Sequence, residues 1–174
     1  LFSAAKGSSS YVSTQPVYKL DNILVTLYEN KKINYIRDLN TKKIAVLKDE
    51  FLQKALTDAM PKGQTTDFVY VPSMKTGLTM LAEGKVDAVA GTELTINYYA
   101  QQLGMENSLR HIGDKICSED VALAVSVYNT KLYNILNKTL LRLKKDGAFD
   151  SSQKLWLGSS ASMVTNSASV RWAE

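Results

Sequence analysis

Met80-Leu81-Ala82-Glu83-Gly84-Lys85-Val86-Asp87-Ala88-Val89 changes its period at Gly84. Before the glycine, Met74, Leu78 and Leu81 recur at helical spacing behind Pro72-Ser73, which opens a helix. A glycine adopts the left-handed conformation that ends a helix without steric cost, so the helix stops there. After it, Val86 to Ala90 reads as a short strand, with Asp87 at its buried start. Helix, glycine cap and strand in ten residues is the signature of a layered α/β domain.

Working outward, the same alternation recurs on both sides. Ile23-Leu24-Val25-Thr26-Leu27-Tyr28 is rich in strand formers and stops at the polar cluster Glu29 to Lys32. Lys43-Ile44-Ala45-Val46-Leu47 is a second strand, followed by Phe51, Leu52, Ala55, Leu56 and Ala59 on one helical face, with Pro61 and Gly63 ending the helix. Phe68 to Val71 is a third strand. Beyond Ala90, a helix from about Glu93 to Leu103 closes at Gly104, and Val121 to Val125 is a further strand. Asn129 then caps a long helix with the apolar face Leu132, Leu136, Leu140 and Leu143, ending at Gly147. Strands alternating with helices predict a mostly parallel sheet flanked by helices. Small and polar residues near the start read as loop, and Ser159 to Glu174 reads as a linker.

Composition narrows the function classes. The chain has 174 residues, of which 45% are hydrophobic and 22% charged, enough to bury a core. Its net charge of +4 comes from scattered pairs, Lys31-Lys32, Lys42-Lys43 and Lys144-Lys145, rather than from a basic stripe with interleaved aromatics. Nucleic acid is therefore not an expected partner. No apolar run reaches the roughly 18 to 20 residues of a membrane span. The single cysteine, Cys117, excludes an internal disulfide and a cysteine-based metal cluster, and neither a metal nor another cofactor is expected.

Several pieces, in order, resemble the family 3 bacterial solute-binding proteins. Ile36-Arg37-Asp38-Leu39-Asn40-Thr41-Lys42-Lys43-Ile44-Ala45-Val46-Leu47 is similar to that family's entry into its second lobe. Met80 to Val89 resembles its helix-to-strand junction, Val121 to Val127 its returning strand, and Lys145-Asp146-Gly147 with Lys154-Leu155-Trp156-Leu157-Gly158 its closing helices. Thr14-Gln15-Pro16-Val17-Tyr18 stands where the family has a segment before its first crossover. The match runs over roughly residues 13 to 158.

The resemblance implies a periplasmic-binding-protein-like Venus flytrap: two α/β lobes joined by crossover strands and closing on a ligand by hinge motion. In that scheme residues 1–22 are a remnant of the first lobe and the approach to the hinge. Residues 23–125 are the second lobe, with Ile23 to Leu27 and Ala122 to Val127 as crossovers. Residues 126–158 are the second hinge and return helices that pack on the first lobe, and 159–174 are a tail. The first lobe is largely absent from the sequence, so another segment or chain is expected to supply it.

Candidate chemistry is sparse. His111 and Cys117 are six residues apart, but without a second histidine or an oxyanion loop they read as structural. Asp49-Glu50 and Glu119-Asp120 are adjacent pairs whose side chains point apart, unlike acid/base carboxylates, and Asp49-Glu50 suits the first turn of a helix. No catalytic residue is expected. The resemblance instead implies ligand contacts at strand C-terminal ends, where open α/β sheets bind. These are Lys48, Asp49, Glu50 and Phe51 after the Ile44 strand and Thr92 and Glu93 after the Val86 strand, with Tyr18 from the first crossover approach.

Family members that bind amino acids carry a glycine and a hydroxyl residue at the first place and often an aspartate at the second. Here Asp49-Glu50 and Thr92 stand instead, which disfavours ordinary α-amino acids. The expected function is non-enzymatic binding of a small polar ligand on the extracytoplasmic face of a bacterial membrane, in the periplasm or outside the cell. The chain is expected to be the sensor domain of a membrane signalling protein. The alternatives are the binding component of an uptake transporter with a permease partner, and a dehydratase or lytic-enzyme module on the same scaffold.

Overall fold

The computed structural model describes residues 2–3, 9–48, 50–148 and 151. In chain order the elements are β1 (Phe2–Ser3), β2 (Tyr11–Ser13), β3 (Tyr18–Leu27), a 3-10 turn (Ile36–Leu39), β4 (Lys43–Val46), α1 (Glu50–Ala59) and β5 (Asp67–Tyr70). They continue with α2 (Met74–Ala82), β6 (Ala88–Thr92), α3 (Glu93–Gln102), β7 (Leu109–His111), β8 (Cys117–Ala122), β9 (Ala124–Ser126) and α4 (Thr130–Lys145). The chain divides into two compact units: residues 1–19 with 119–174, and residues 20–118. It passes between them at Lys19–Leu20 and at Ser118–Glu119, a few residues before the stretches Ile23 to Leu27 and Ala122 to Val127.

The second unit is built on a mixed sheet. β4 lies between β5 and β6, parallel to both, with Ala45 opposite Val69 on one side and Val89 on the other. β3 then pairs antiparallel with β6, Leu24 opposite Ala90, and β7 pairs antiparallel with β3. The expected parallel sheet is thus its three-stranded part, and β3 and β7 add the antiparallel strands.

Alternation along these strands divides the core. Ile23, Val25, Ala45 and Val89 point to one face, where Met74, Leu78, Leu81, Ile96 and Ala100 of α2 and α3 cover them. Leu24, Ile44, Val46, Ala88 and Ala90 point to the other, where Leu52 and Leu56 of α1, Leu39 and Ile33 close the layer. β4 and β6 are buried on both faces, which is why they read as continuous apolar runs. α2 lies close on the sheet at Gly77, where a Cβ would be in ordinary van der Waals contact, 3.5 Å from the Cβ of Ala45 and 3.6 Å from Val89.

Local signals set the boundaries. Ser73 accepts a hydrogen bond from the Thr76 N–H and caps α2, and Gly84 and Gly104 stand at φ 69° and 65° after α2 and α3. The strand expected from Val86 begins instead at Ala88. Asp87 explains this: its N–H donates to the Lys43 carbonyl at 2.8 Å and its carboxylate accepts from the Lys43 N–H at 2.9 Å. It is therefore the structural tie at the strand start that its position suggested.

In the first unit, β9 pairs antiparallel with β2 and β1 with β8. The single strand expected over Val121 to Val125 is broken at Leu123, whose N–H and carbonyl bond the hydroxyl and N–H of Thr14 at 3.1 and 2.9 Å. Asn129 caps α4, accepting from the Leu132 N–H at 3.1 Å, and the Asn137 side chain accepts from the Gln15 N–H at 2.8 Å. Of the expected apolar face of α4, Leu140 is buried, Leu136 and Leu143 are half-buried and Leu132 is exposed. The residues from 152 onward, with their expected closing helices and tail, lie outside the described residues.

Candidate functional site

Three strand-to-helix junctions share one edge of the second unit's sheet. β4, β5 and β6 run parallel, so the starts of α1, α2 and α3 all follow strand C-terminal ends there. Val46 stands opposite Ala90 on one side and Tyr70 on the other, which makes the three junctions neighbours. Helix N-termini carry unpaired N–H groups and partial positive charge, and such an edge is where open sheets hold ligands.

Each expected site residue can be located on this frame. Lys48 is exposed in the turn after β4, Phe51 is 49% exposed in the first turn of α1, and Glu50 is the first residue of that helix. Asp49 lies outside the described residues. Thr92 ends β6 and Glu93 begins α3, both half-buried. Lys48 and Phe51 are thereby brought to the same sheet edge as Thr92 and Glu93. Tyr18 starts β3 and belongs to the other unit, where it is half-buried.

At the α3 junction the Thr92 hydroxyl bonds the Thr95 hydroxyl at 2.6 Å and makes no capping bond to the helix backbone. The start of α2, by contrast, is closed by Ser73. Gly91 before Thr92 leaves room for Met74, whose terminal methyl, the end of a flexible side chain, would have to move if a Cβ stood there. Leu47 and Leu94 are more than a third exposed, and the Tyr70 hydroxyl reaches Gln53 of α1 at 3.1 Å. Apolar and hydroxyl-bearing surface therefore alternates along this edge.

Sequence reasoning missed Asn22. It is 2% exposed and sits opposite Thr92 in the β3–β6 register, while its carbonyl accepts from the Ile116 N–H at 2.7 Å. A polar residue at the head of the run Ile23 to Leu27 was the available signal. His111 and Cys117 form no such site: His111 is exposed on β7, and Cys117 packs against the core cluster beneath α1. No group of histidine, cysteine or carboxylate side chains suited to a metal occurs among the described residues, and no described helix is long and apolar enough to cross a membrane.

The open α/β sheet with its helix starts gathered at one edge has counterparts among known proteins. No family model matches the chain. The "Putative ABC transporter arginine-binding protein 2" of Escherichia coli (strain K12) is 26% identical over 148 residues, which are 82% of this chain and 58% of that protein. The "Putative sensor protein" of Shewanella frigidimarina (strain NCIMB 400) is 25% identical over 151 residues, 87% of this chain and 22% of that one. Among solved structures, the ligand-binding core of GluR0 in complex with L-glutamate has a TM-score of 0.72 at 19% identity, over 87% of this chain and 66% of that one. The fold is the α/β fold of the periplasmic binding proteins, and the relatives are amino-acid-binding and sensor proteins, as the resemblance to family 3 solute-binding proteins implied.

Proposed function

We propose that the chain is part of a non-enzymatic, extracytoplasmic module that binds a small polar ligand as the input of a membrane signalling protein. The observation that carries the reading is the parallel register of Val46 with Ala90, which sets the α1 and α3 starts side by side at the ligand edge. Lys48, Phe51, Thr92 and Glu93 contact the ligand in this reading, with Asp49, Glu50 and Tyr18 joining them. The remainder of the first lobe comes from another segment or chain, and the module lies in the periplasm or at the cell exterior. The relative named as a sensor supports the signalling role.

The α3 start favours a cationic or neutral polar ligand. Glu93 supplies a carboxylate beside it, and Thr92 offers only a hydroxyl to a ligand ammonium, which makes a weaker contact than a charge-assisted one. The test is a thermal-shift screen of the full-length protein with the common amino acids, since a ligand that binds only the folded state raises its melting temperature. Arginine is expected to give the largest shift among them, and Glu93→Gln to reduce it. If a neutral α-amino acid gives the largest shift and Thr92→Ala abolishes it, this reading of the site fails.

A second reading, binding component of an uptake transporter with a permease partner, is supported by the relative named as an ABC transporter arginine-binding protein. Deleting the gene separates the two roles: loss of ligand uptake supports the transporter, whereas loss of a transcriptional or motility response with uptake intact supports the sensor.

A further inference from the structure

A concave site opens in the same unit, at the opposite end of the parallel strands from the α1 and α3 starts. It is a cleft of about 470 Å³ between the loop after β3 (Glu29, Asn30, Lys31, Lys32 and Ile33) and the residues that lead into β4 and β6, Lys42 and Asp87. Its volume lies within the roughly 300 to 1,000 Å³ of small-molecule sites. The pair Lys31-Lys32 thus meets Lys42 at one cleft, although Lys42 lies ten positions beyond Lys32 along the chain.

The lining sets Lys31, Lys32 and Lys42 against two carboxylates, Glu29 and Asp87, but none of the three lysines forms an ion pair with either. The ion pairs among the described residues are Lys54 with Asp58, Lys85 with Glu83 and Lys115 with Asp21, so Lys31, Lys32 and Lys42 have no carboxylate partner. Asp87 turns its carboxylate to the Lys43 N–H instead, and Glu29 is exposed. Lys42 is half-buried, and Lys31 stands over the Tyr28 ring, 3.9 Å from its centroid. Three ammonium groups against the two carboxylates of Glu29 and Asp87 leave the lining with one net positive charge, which favours an anion over a cation.

The wall that carries two of these lysines is held from beneath. The Arg110 guanidinium donates to the carbonyls of Asn30 and Ile33 and to the Asn34 side chain. Asn30 donates to the Thr26 hydroxyl at 3.2 Å and accepts from the Lys32 N–H at 3.1 Å, and Thr26 is itself buried and bonded to the Asp87 carbonyl. The loop is therefore pinned to the strand start that forms the facing wall. Such pinning lowers the ordering cost of binding.

We propose that this cleft is a second binding site, for a small multivalent anion bearing phosphoryl or carboxylate groups shared among Lys31, Lys32 and Lys42. Calorimetry on the whole chain at low ionic strength, with inorganic pyrophosphate and with citrate as probes, tests it. Saturable one-site binding at or below about a millimolar dissociation constant is expected for at least one probe, and the probe that binds names the group recognised. Lys42→Gln and the pair Lys31→Gln/Lys32→Gln should each weaken it about tenfold or more, with the backbone amide of Lys32 shifting on titration in NMR spectra of the unsubstituted chain. Lys54→Gln, which removes the same charge from α1, should leave binding unchanged, as should Thr92→Ala, so that this site succeeds or fails apart from the ligand edge. No saturation with either probe, or equal weakening by Lys54→Gln, overturns the proposal.

Discussion

The Ser118 hydroxyl donates to the Asp21 carboxylate, although the two residues are 97 positions apart. Asp21 is the second residue after the chain enters the second unit, and Ser118 the last before it leaves. Lys115 adds an ion pair to the same carboxylate at 3.3 Å, and the neighbouring Ile116 N–H reaches the Asn22 carbonyl. The side chain of Asp21 is only 9% exposed, so these donors stand in for lost water. Ser118→Ala is expected to cost about 1 to 3 kcal/mol of stability in urea unfolding, because a hydrogen bond to a charged group is worth more than a neutral one. A loss too small to measure would mean that water replaces the hydroxyl.

Gly91 and Met74 are coupled through space. Gly91→Ala drives the new methyl into the end of the flexible Met74 side chain, itself 2% exposed, and should cost about 1 kcal/mol. The cost is expected to shrink when Met74 is first replaced by Ala, giving a non-additive double-mutant cycle. Additive losses would place the strain in the backbone at Gly91 rather than in this contact.

Asp38 governs one acid-sensitive turn. Its carboxylate accepts from the N–H groups of Asn34 and Tyr35 at 2.9 and 3.0 Å, and these bonds, the Asn34 bond first, hold its pKa below the usual carboxylate range. A depressed folded-state pKa contributes stability that is present above the unfolded value and lost as pH falls through the folded one. The stability difference between the wild type and Asp38→Asn should therefore be full at neutral pH and shrink on acidification below about pH 4. A difference that grows on acidification would contradict the bonding.

Arg110 should tolerate lysine poorly. Its guanidinium spans acceptors on Asn30, Ile33 and Asn34, a spread that one ammonium does not match. Arg110→Lys is expected to raise amide hydrogen exchange across residues 30–34 while leaving α2 and α3 protected. Unchanged exchange in that loop would show that other contacts hold it.

Sequence alone determined the local grammar of this protein. Glycine caps at Gly84 and Gly104, the caps Ser73 and Asn129, and the apolar runs of β4 and β6 follow from sterics and hydrogen bonds within a few residues, so their positions were legible within a residue or two. The resemblance set Lys48 and Phe51 after the first of those strands and Thr92 and Glu93 at the end of the second, and the structure has them at those strand ends. Only the tertiary structure decided what depends on chain closure over long separations. It set β3 antiparallel beside β6, buried Asn22 opposite Thr92, broke the Val121 to Val125 run at Leu123 because Thr14 bonds its backbone, and gathered Lys31, Lys32 and Lys42 around one cleft. No local period encodes such pairings, since they are chosen by which packed arrangement satisfies every buried backbone group at once.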